Sequence, residues 1–407
     1  MNDIAEQGVG RRRALGALAL GGAGLAVAPA LARPLVDLGL AGGGGRLPIV
    51  SNFPGKGAML LQRQRAPLLE TPFEVFDRGI FTPNDRFFVR WHYADIPLSV
   101  DAAAFRLNVV GAVARPLSLS LGALLKMPRV EVNAVNQCSG NSRGFFSPRV
   151  PGAQWGHGAM GNARWTGVPL RHVLEQAGVR TGAVQLRFAG LDRPPEGAPW
   201  YAKSLPVDEA MASDALIAFA MNGAALPLLN GFPLRLVVPG WYSTYWIKAL
   251  SRIDVLEQED EGFWMTKAYR IPAAPGASVQ PGTKNFPTIP INRMVPRSFL
   301  TSHAGPIRAA RGAPVGLRGI ALGGDSAVAS VALSLDGGVH WRAAALGPDY
   351  GRYSFRGWSA MILPPPGRHR LAIRCTNAQG LSQGAVPVWN PSGYMLNTIE
   401  TREVIVE

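Results

Sequence analysis

The sequence predicts an α+β protein: a mixed strand-and-helix domain followed by a β-sandwich of immunoglobulin type. Three observations predict it. Apolar residues fill 47% of the 407 positions and charged residues only 17%, enough to build large cores in more than one domain. The 48 Gly and 34 Pro favour many short strands and turns over a helical bundle. Strand and helix patterns interleave up to residue 271, and only strand patterns follow residue 292.

Residues 1–32 read as a leader. Arg11-Arg12-Arg13 precedes an Ala/Gly/Leu run that ends in Ala30-Leu31-Ala32, the order of a charged region, an apolar region and an A-x-A cleavage site. The arginine pair and the weak, glycine-rich hydrophobicity point to a twin-arginine signal, hence to export of a folded protein to the periplasm. The alternative is a membrane anchor, and its glycines and Pro29 weaken it. No later stretch is long or apolar enough to span a bilayer.

Residues 33–70, rich in Gly, Pro and Leu without periodicity, read as an extended arm. In the domain expected over 71–271, Phe105–Val110 reads as a strand and Leu119–Met127 as a short helix. Leu170–Ala177 reads as a helix, with Pro169 at its start and Gly178 at its end. Phe232–Val238 reads as a buried strand interrupted only by Arg235, whose charge needs a partner. Residues 272–292 read as a linker. In the sandwich expected over 293–407, Val331–Leu335 and Val339–Trp341 flank Asp336-Gly337-Gly338 as a hairpin, and 367–374 and 401–406 read as further strands.

Several chemistries are excluded. The six histidines are scattered, none pairing with another at metal-ligand spacing, so a zinc site is not expected. There is no G-x-S-x-G elbow, P-loop or G-x-G-x-x-G. No C-x-x-C-H occurs, so no haem is expected on this chain. The formal net charge is +14, but the arginines are dispersed and form no basic run outside the leader, which argues against nucleic acid.

Of the two cysteines, Cys138 lies in a polar turn, Asn136-Gln137-Cys138-Ser139-Gly140-Asn141-Ser142-Arg143. A thiol near positive charge favours the thiolate, which is both nucleophile and metal ligand. On these residues alone a buried thiol or a Cys138–Cys375 disulfide stands equally open.

An ordered series of motifs narrows the choice. Phe87-Phe88-Val89-Arg90-Trp91-His92 is followed by the C-x-G-N-x-R element Cys138–Arg143, then by Trp155 and Ala163-Arg164-Trp165-Thr166-Gly167. Asn222-Gly223 to Pro227 leads into Gly231-Phe232-Pro233-Leu234-Arg235-Leu236-Val237-Val238-Pro239-Gly240, with Lys248 and Tyr269 beyond. Ser334–Trp341 and Trp389-Asn390-x-x-Gly393 close the series. In this order the motifs resemble the sulfite oxidase family of molybdopterin enzymes over most of the chain, nearest to the molybdenum subunit of bacterial periplasmic sulfite dehydrogenases.

The resemblance implies a molybdopterin-binding catalytic domain of the sulfite oxidase type, holding a molybdenum–molybdopterin cofactor with Cys138 as the metal's protein ligand. It implies that Arg143, Arg235, Lys248 and His92 hold the pterin phosphate and an anionic substrate, that Asn230 belongs to the cofactor site, and that Arg90, Tyr269 and Trp155 line the substrate pocket. For each an alternative stays open: Trp155 and Tyr269 as core aromatics, and Lys248 as a surface lysine. Two positions depart from the animal pattern: Asn230 stands where those enzymes have His, and Ser392 where they have Arg. The implied activity is sulfite oxidation to sulfate, with electrons passed to a separate c-type cytochrome, in a homodimer or a heterodimer with a cytochrome subunit. The alternatives are a periplasmic methionine sulfoxide reductase of the same fold and a non-catalytic binding protein with a decayed site.

Overall fold

The computed structural model describes residues 34–40 and 42–407; the expected leader lies outside them. Among the described residues, strands dominate and the α-helices are few and short. No helix there is long and apolar enough to cross a membrane.

The segment expected to be an extended arm is instead a sheet. Strands β1 (Leu35–Asp37), β2 (Arg46–Val50), β3 (Met59–Arg63) and β4 (Leu68–Glu70) pair in sequence order with β5 (Val89–Arg90). Such short strands carry too little alternation to show in sequence. They hold because Met59, Leu69 and Val89 bury one face in a small core with Trp91 and Leu229.

A second sheet runs in the spatial order Ala202–Pro206, Gln185–Gly190, Leu250–Leu256, Arg106–Gly111, Leu117–Ser120. Arg106–Gly111 is the strand expected at 105–110. The helix expected over 119–127 is shorter, Leu121–Leu125. Leu119 belongs to the strand, and the Ser120 hydroxyl accepts from Ala123 N at 3.1 Å, so the helix starts after its cap. The helix Leu170–Ala177 has the expected limits, ended by Gly178 at φ 66°. Its buried Leu170, Val173 and Leu174 contribute roughly 2 kcal/mol each to the main core.

The third sheet places Val130–Gln137 beside Met160–Pro169, then Leu216–Met221, which also pairs with Arg235–Val237. The strand expected over Phe232–Val238 is thus reduced to its second half, since Pro233 has no N–H to give a ladder.

Beyond residue 293, two sheets face each other across a shared core. One orders Arg297–Leu300, Val315–Leu322, Arg356–Ile362 and Ala345–Leu346; the other orders Ile307–Ala309, Glu400–Val406, Gly367–Asn377, Val328–Ser334 and Arg342–Ala343. Leu317, Trp358, Val331, Ile373 and Val404 meet between them. The expected hairpin forms with a longer turn, because Val328–Ser334 pairs with Arg342–Ala343 rather than with Val339–Trp341. Asp336 captures the Val339 and His340 N–H groups at 3.1 and 3.0 Å and withdraws them from the ladder. Within 272–292, Thr288–Pro290 pairs with Arg270–Pro272. Phe299, Leu322 and Phe355 join the core of the preceding sheets.

Candidate active site

The strand Val130–Gln137 passes from exposed at Val130 to buried at Gln137, and Cys138 follows at its inner end. A tight turn then forms, with Asn141 N donating to Cys138 O at 2.9 Å and Arg143 N to Gly140 O at 3.0 Å. Ser142 adopts the left-handed conformation at φ 69°, uncommon for a residue with a Cβ. It is clamped there: its hydroxyl lies 2.7 Å from His157 Nδ1 and accepts from Arg297 Nη1 at 2.8 Å. Burial, then Arg297, push the His157 pKa far below its usual value, so the ring is neutral. Cys138 and Cys375 are both free and buried, which removes the disulfide. Cys375 packs in the sandwich core, where burial pushes its thiol up to about 12.

Arg143 is threaded through glycine. A Cβ at Gly140 would lie 2.5 Å from its Nη2, one at Gly152 2.8 Å from its Nη1, and one at Gly393 2.8 Å from its Cγ. Its Nε donates to Ser392 O at 3.2 Å, and its guanidinium lies 5.2 Å from the Tyr394 ring.

The structure brings the expected residues to two cavities that meet at Cys138. A wider one, about 490 Å³, is lined by Arg90, Arg143, Trp155 and Tyr269, with Arg63 at its mouth. A narrow one is lined by Arg90, His92, Asn230, Arg235, Lys248 and Tyr269. Lys248 is therefore no surface lysine, and it faces the Trp91 ring at 4.4 Å.

Two of the expected cofactor-site residues line the narrow cavity and are also held by neighbouring groups. Asn230 lines the narrow cavity with its side-chain amide already engaged, accepting from Lys56 Nζ at 2.5 Å and donating to Phe88 O at 3.1 Å. His92 is stacked on Tyr201 at 3.5 Å and lies 2.7 Å from the Tyr269 hydroxyl. Burial, then Arg90, hold its pKa well below the usual range, so it is a neutral hydrogen-bonding group and not a cation. Tyr269 itself sits at φ 55°, strain stored beside the cavity.

The narrow cavity is lined by Arg90, Arg235 and Lys248, and the buried Asp192 offsets part of the charge at Lys248. Arg235 is buried against the rings of Trp165 and Trp246 and donates to Asn230 O at 3.0 Å and Asn136 Oδ1 at 3.1 Å, with no carboxylate partner. Burial pulls its pKa down to about 9. Burial, then Arg235, pull Lys248 down as well. Arg235 Nε, Arg90 Nη1 and Thr244 Oγ1 are buried without a hydrogen-bond partner, a deficit that an anionic ligand removes. Among the described residues no group of three or more His, Cys, Asp and Glu converges on a metal position. One thiol beside the buried Arg235, which has no carboxylate partner and an unbonded Nε, fits a metal that takes its other sulfurs from an anionic cofactor.

Three contributors carry no motif in the sequence. Lys56 bridges Asn84 O, Phe87 O and Asn230. Glu70, fully buried, accepts from Gly156 N at 3.1 Å and Gly158 N at 2.9 Å, and so fixes the loop bearing Trp155. Arg63 is the third. All belong to the segment read as an arm, and a charged residue inside it was the one available signal.

Site and fold define a molybdopterin-binding oxidoreductase. Residues 93–264 match the family described as an oxidoreductase molybdopterin binding domain. The chain is 34% identical to mitochondrial sulfite oxidase of Homo sapiens over 358 residues, covering 84% of this chain and 64% of that protein's length. It is 33% identical to sulfite oxidase of Gallus gallus over 369 residues, covering 86% and 78%. Among solved structures, it resembles the sulfane dehydrogenase SoxCD from Paracoccus pantotrophus with a TM-score of 0.71 and 26% identity, covering 84% of this chain and 85% of that one. The chain belongs to the sulfite oxidase family.

Proposed function

We propose that the protein is a molybdenum-dependent sulfite dehydrogenase, oxidising sulfite to sulfate and passing electrons to a separate c-type cytochrome. One observation carries this reading: the Cys138 thiol opens onto a cavity walled by Arg90, Arg143, Trp155 and Tyr269. Cys138 would hold the metal, while Arg235 and Lys248 neutralise the cofactor's anionic tail. Bound molybdenum–molybdopterin supplies the two-electron redox change and the oxygen transferred to sulfur. Arg90 and Arg143 bind the oxyanion, their forked donors matching its geometry. The Tyr269 hydroxyl, held by neutral His92, orients the substrate through one more hydrogen bond, and Trp155 restricts water. Overall, sulfite and water give sulfate, two protons and two electrons.

The leader motif supports export by the twin-arginine route to the periplasm. The test is a steady-state assay with sulfite as donor and cytochrome c or ferricyanide as acceptor, alongside a molybdenum count. Turnover with cytochrome c and none with molecular oxygen is expected. Methionine sulfoxide reduction without sulfite oxidation would overturn the reading, and so would protein purified without molybdenum.

A second reading has one observation behind it. Ser392 leaves the cavity mouth with one cation fewer than in the animal pattern, and the similar solved structure is described as a sulfane dehydrogenase. On this reading the donor is sulfane sulfur, and a persulfide would outcompete sulfite in the same assay.

A further inference from the structure

The wider cavity lacks a cation at Ser392, and β3 brings another to its mouth. The register of the N-terminal sheet aligns Arg63 on β3 with Leu68 on β4, and Leu68 with Arg90 on β5. Directly opposed residues of neighbouring strands project to the same face, and strands lie about 4.8 Å apart. Arg63 thus stands two strands from Arg90 on one face, and all three side chains line the cavity.

Its direction is built in. The pairing of β3 with β4 slips between Leu61 and Arg63, leaving Gln62 as the extra residue of a bulge. Bulges beside active sites re-aim side chains. Gln62 anchors this one, donating to Glu70 Oε2 at 2.8 Å and to Gln154 O at 3.0 Å. Arg63 Nε donates to Ala66 O at 3.1 Å, and its two terminal nitrogens have no acceptor among the described residues. Partial burial, then the nearby Arg90 charge, lower its pKa. Two guanidinium groups facing one cavity repel unless an anion lies between them.

We propose that Arg63 is a specificity-determining residue, the outer cation that receives a dianionic sulfur oxyanion at the mouth and takes the place of the arginine missing at 392. The proposal rests on the cavity being the substrate site. It excludes the plain alternative of a solvated surface arginine with no ligand.

Sulfate binding to the purified full chain, measured by calorimetry, tests it. Arg63→Ala should raise the sulfate Kd roughly tenfold, as expected for one charge-assisted hydrogen bond. Arg63→Lys should restore part of the loss, since the charge remains without the fork, and KM for sulfite should shift in parallel with Kd. A thermal melt of each variant confirms folding, and Arg308→Ala, at an exposed site on the far sandwich sheet, controls for net charge. Wild-type affinity in Arg63→Ala overturns the proposal, as does a wild-type protein that binds no sulfate. A wild type that binds sulfate through Arg63 without oxidising sulfite leaves the inference standing and overturns the functional reading instead.

Discussion

Ser392 meets Arg143 through its backbone: the Ser392 carbonyl accepts from Arg143 Nε at 3.2 Å. The position that carries an arginine in the animal pattern here steers another arginine, and Gly393 beside it leaves room for that side chain to pass. Restoring a cation at 392 is then a test of the cavity's purpose. Ser392→Arg should lower KM for sulfite roughly fivefold, the effect of about 1 kcal/mol of added attraction in a solvated mouth. Steady-state kinetics at fixed ionic strength reads it, and an unchanged or higher KM would place the oxyanion elsewhere.

Cys138→Ser should reduce turnover by roughly a hundredfold or more, since a hydroxyl is a poor substitute for thiolate on a soft-ligand metal. Its thermal midpoint should stay close to that of the wild type, because the turn is held by backbone hydrogen bonds and by the Ser142 clamp. Activity together with a melt separates loss of a ligand from loss of the fold.

Glu70 gives stability a specific pH dependence. Burial raises its carboxyl from 4.5 to about 6, against three hydrogen bonds that lower it. A raised folded pKa means that the native state holds the proton more tightly between those values. Its contribution is therefore full below pH 4.5 and is lost as pH rises through about 6. The loss amounts to about 2 kcal/mol. Urea denaturation across this window should show the fall in the wild type and a flatter profile in Glu70→Gln.

Gly178→Ala should cost about 1 kcal/mol. The residue closes its helix at φ 66°, and an added Cβ would lie 3.1 Å from Ala114 Cβ. Chemical denaturation checks this, with no change in the active-site kinetics.

That helix shows what a sequence makes legible. Its apolar spacing and its terminal glycine are local signals, and local signals set both of its ends. Cys138 and Arg143 were legible for a related reason, since motif order is a property of the chain. Arg63 and Lys56 were not. Their roles depend on strand register and on partners far along the chain, such as Asn230, which Lys56 reaches across 174 positions. The length of the turn around Asp336 escaped for a third reason: a side chain competed with the ladder for backbone N–H groups.

The walls of the cavity are gathered from distant parts of the chain. Arg143 finds its acceptor 249 positions later, and Met395 N donates to Ser139 O at 3.0 Å beside the thiol. Arg63 arrives from the opposite direction, on a strand made long before either. The cavity at Cys138 is therefore complete only when residues 392–395 have packed against Arg143 and Ser139, so its walls draw on segments from both ends of the described chain.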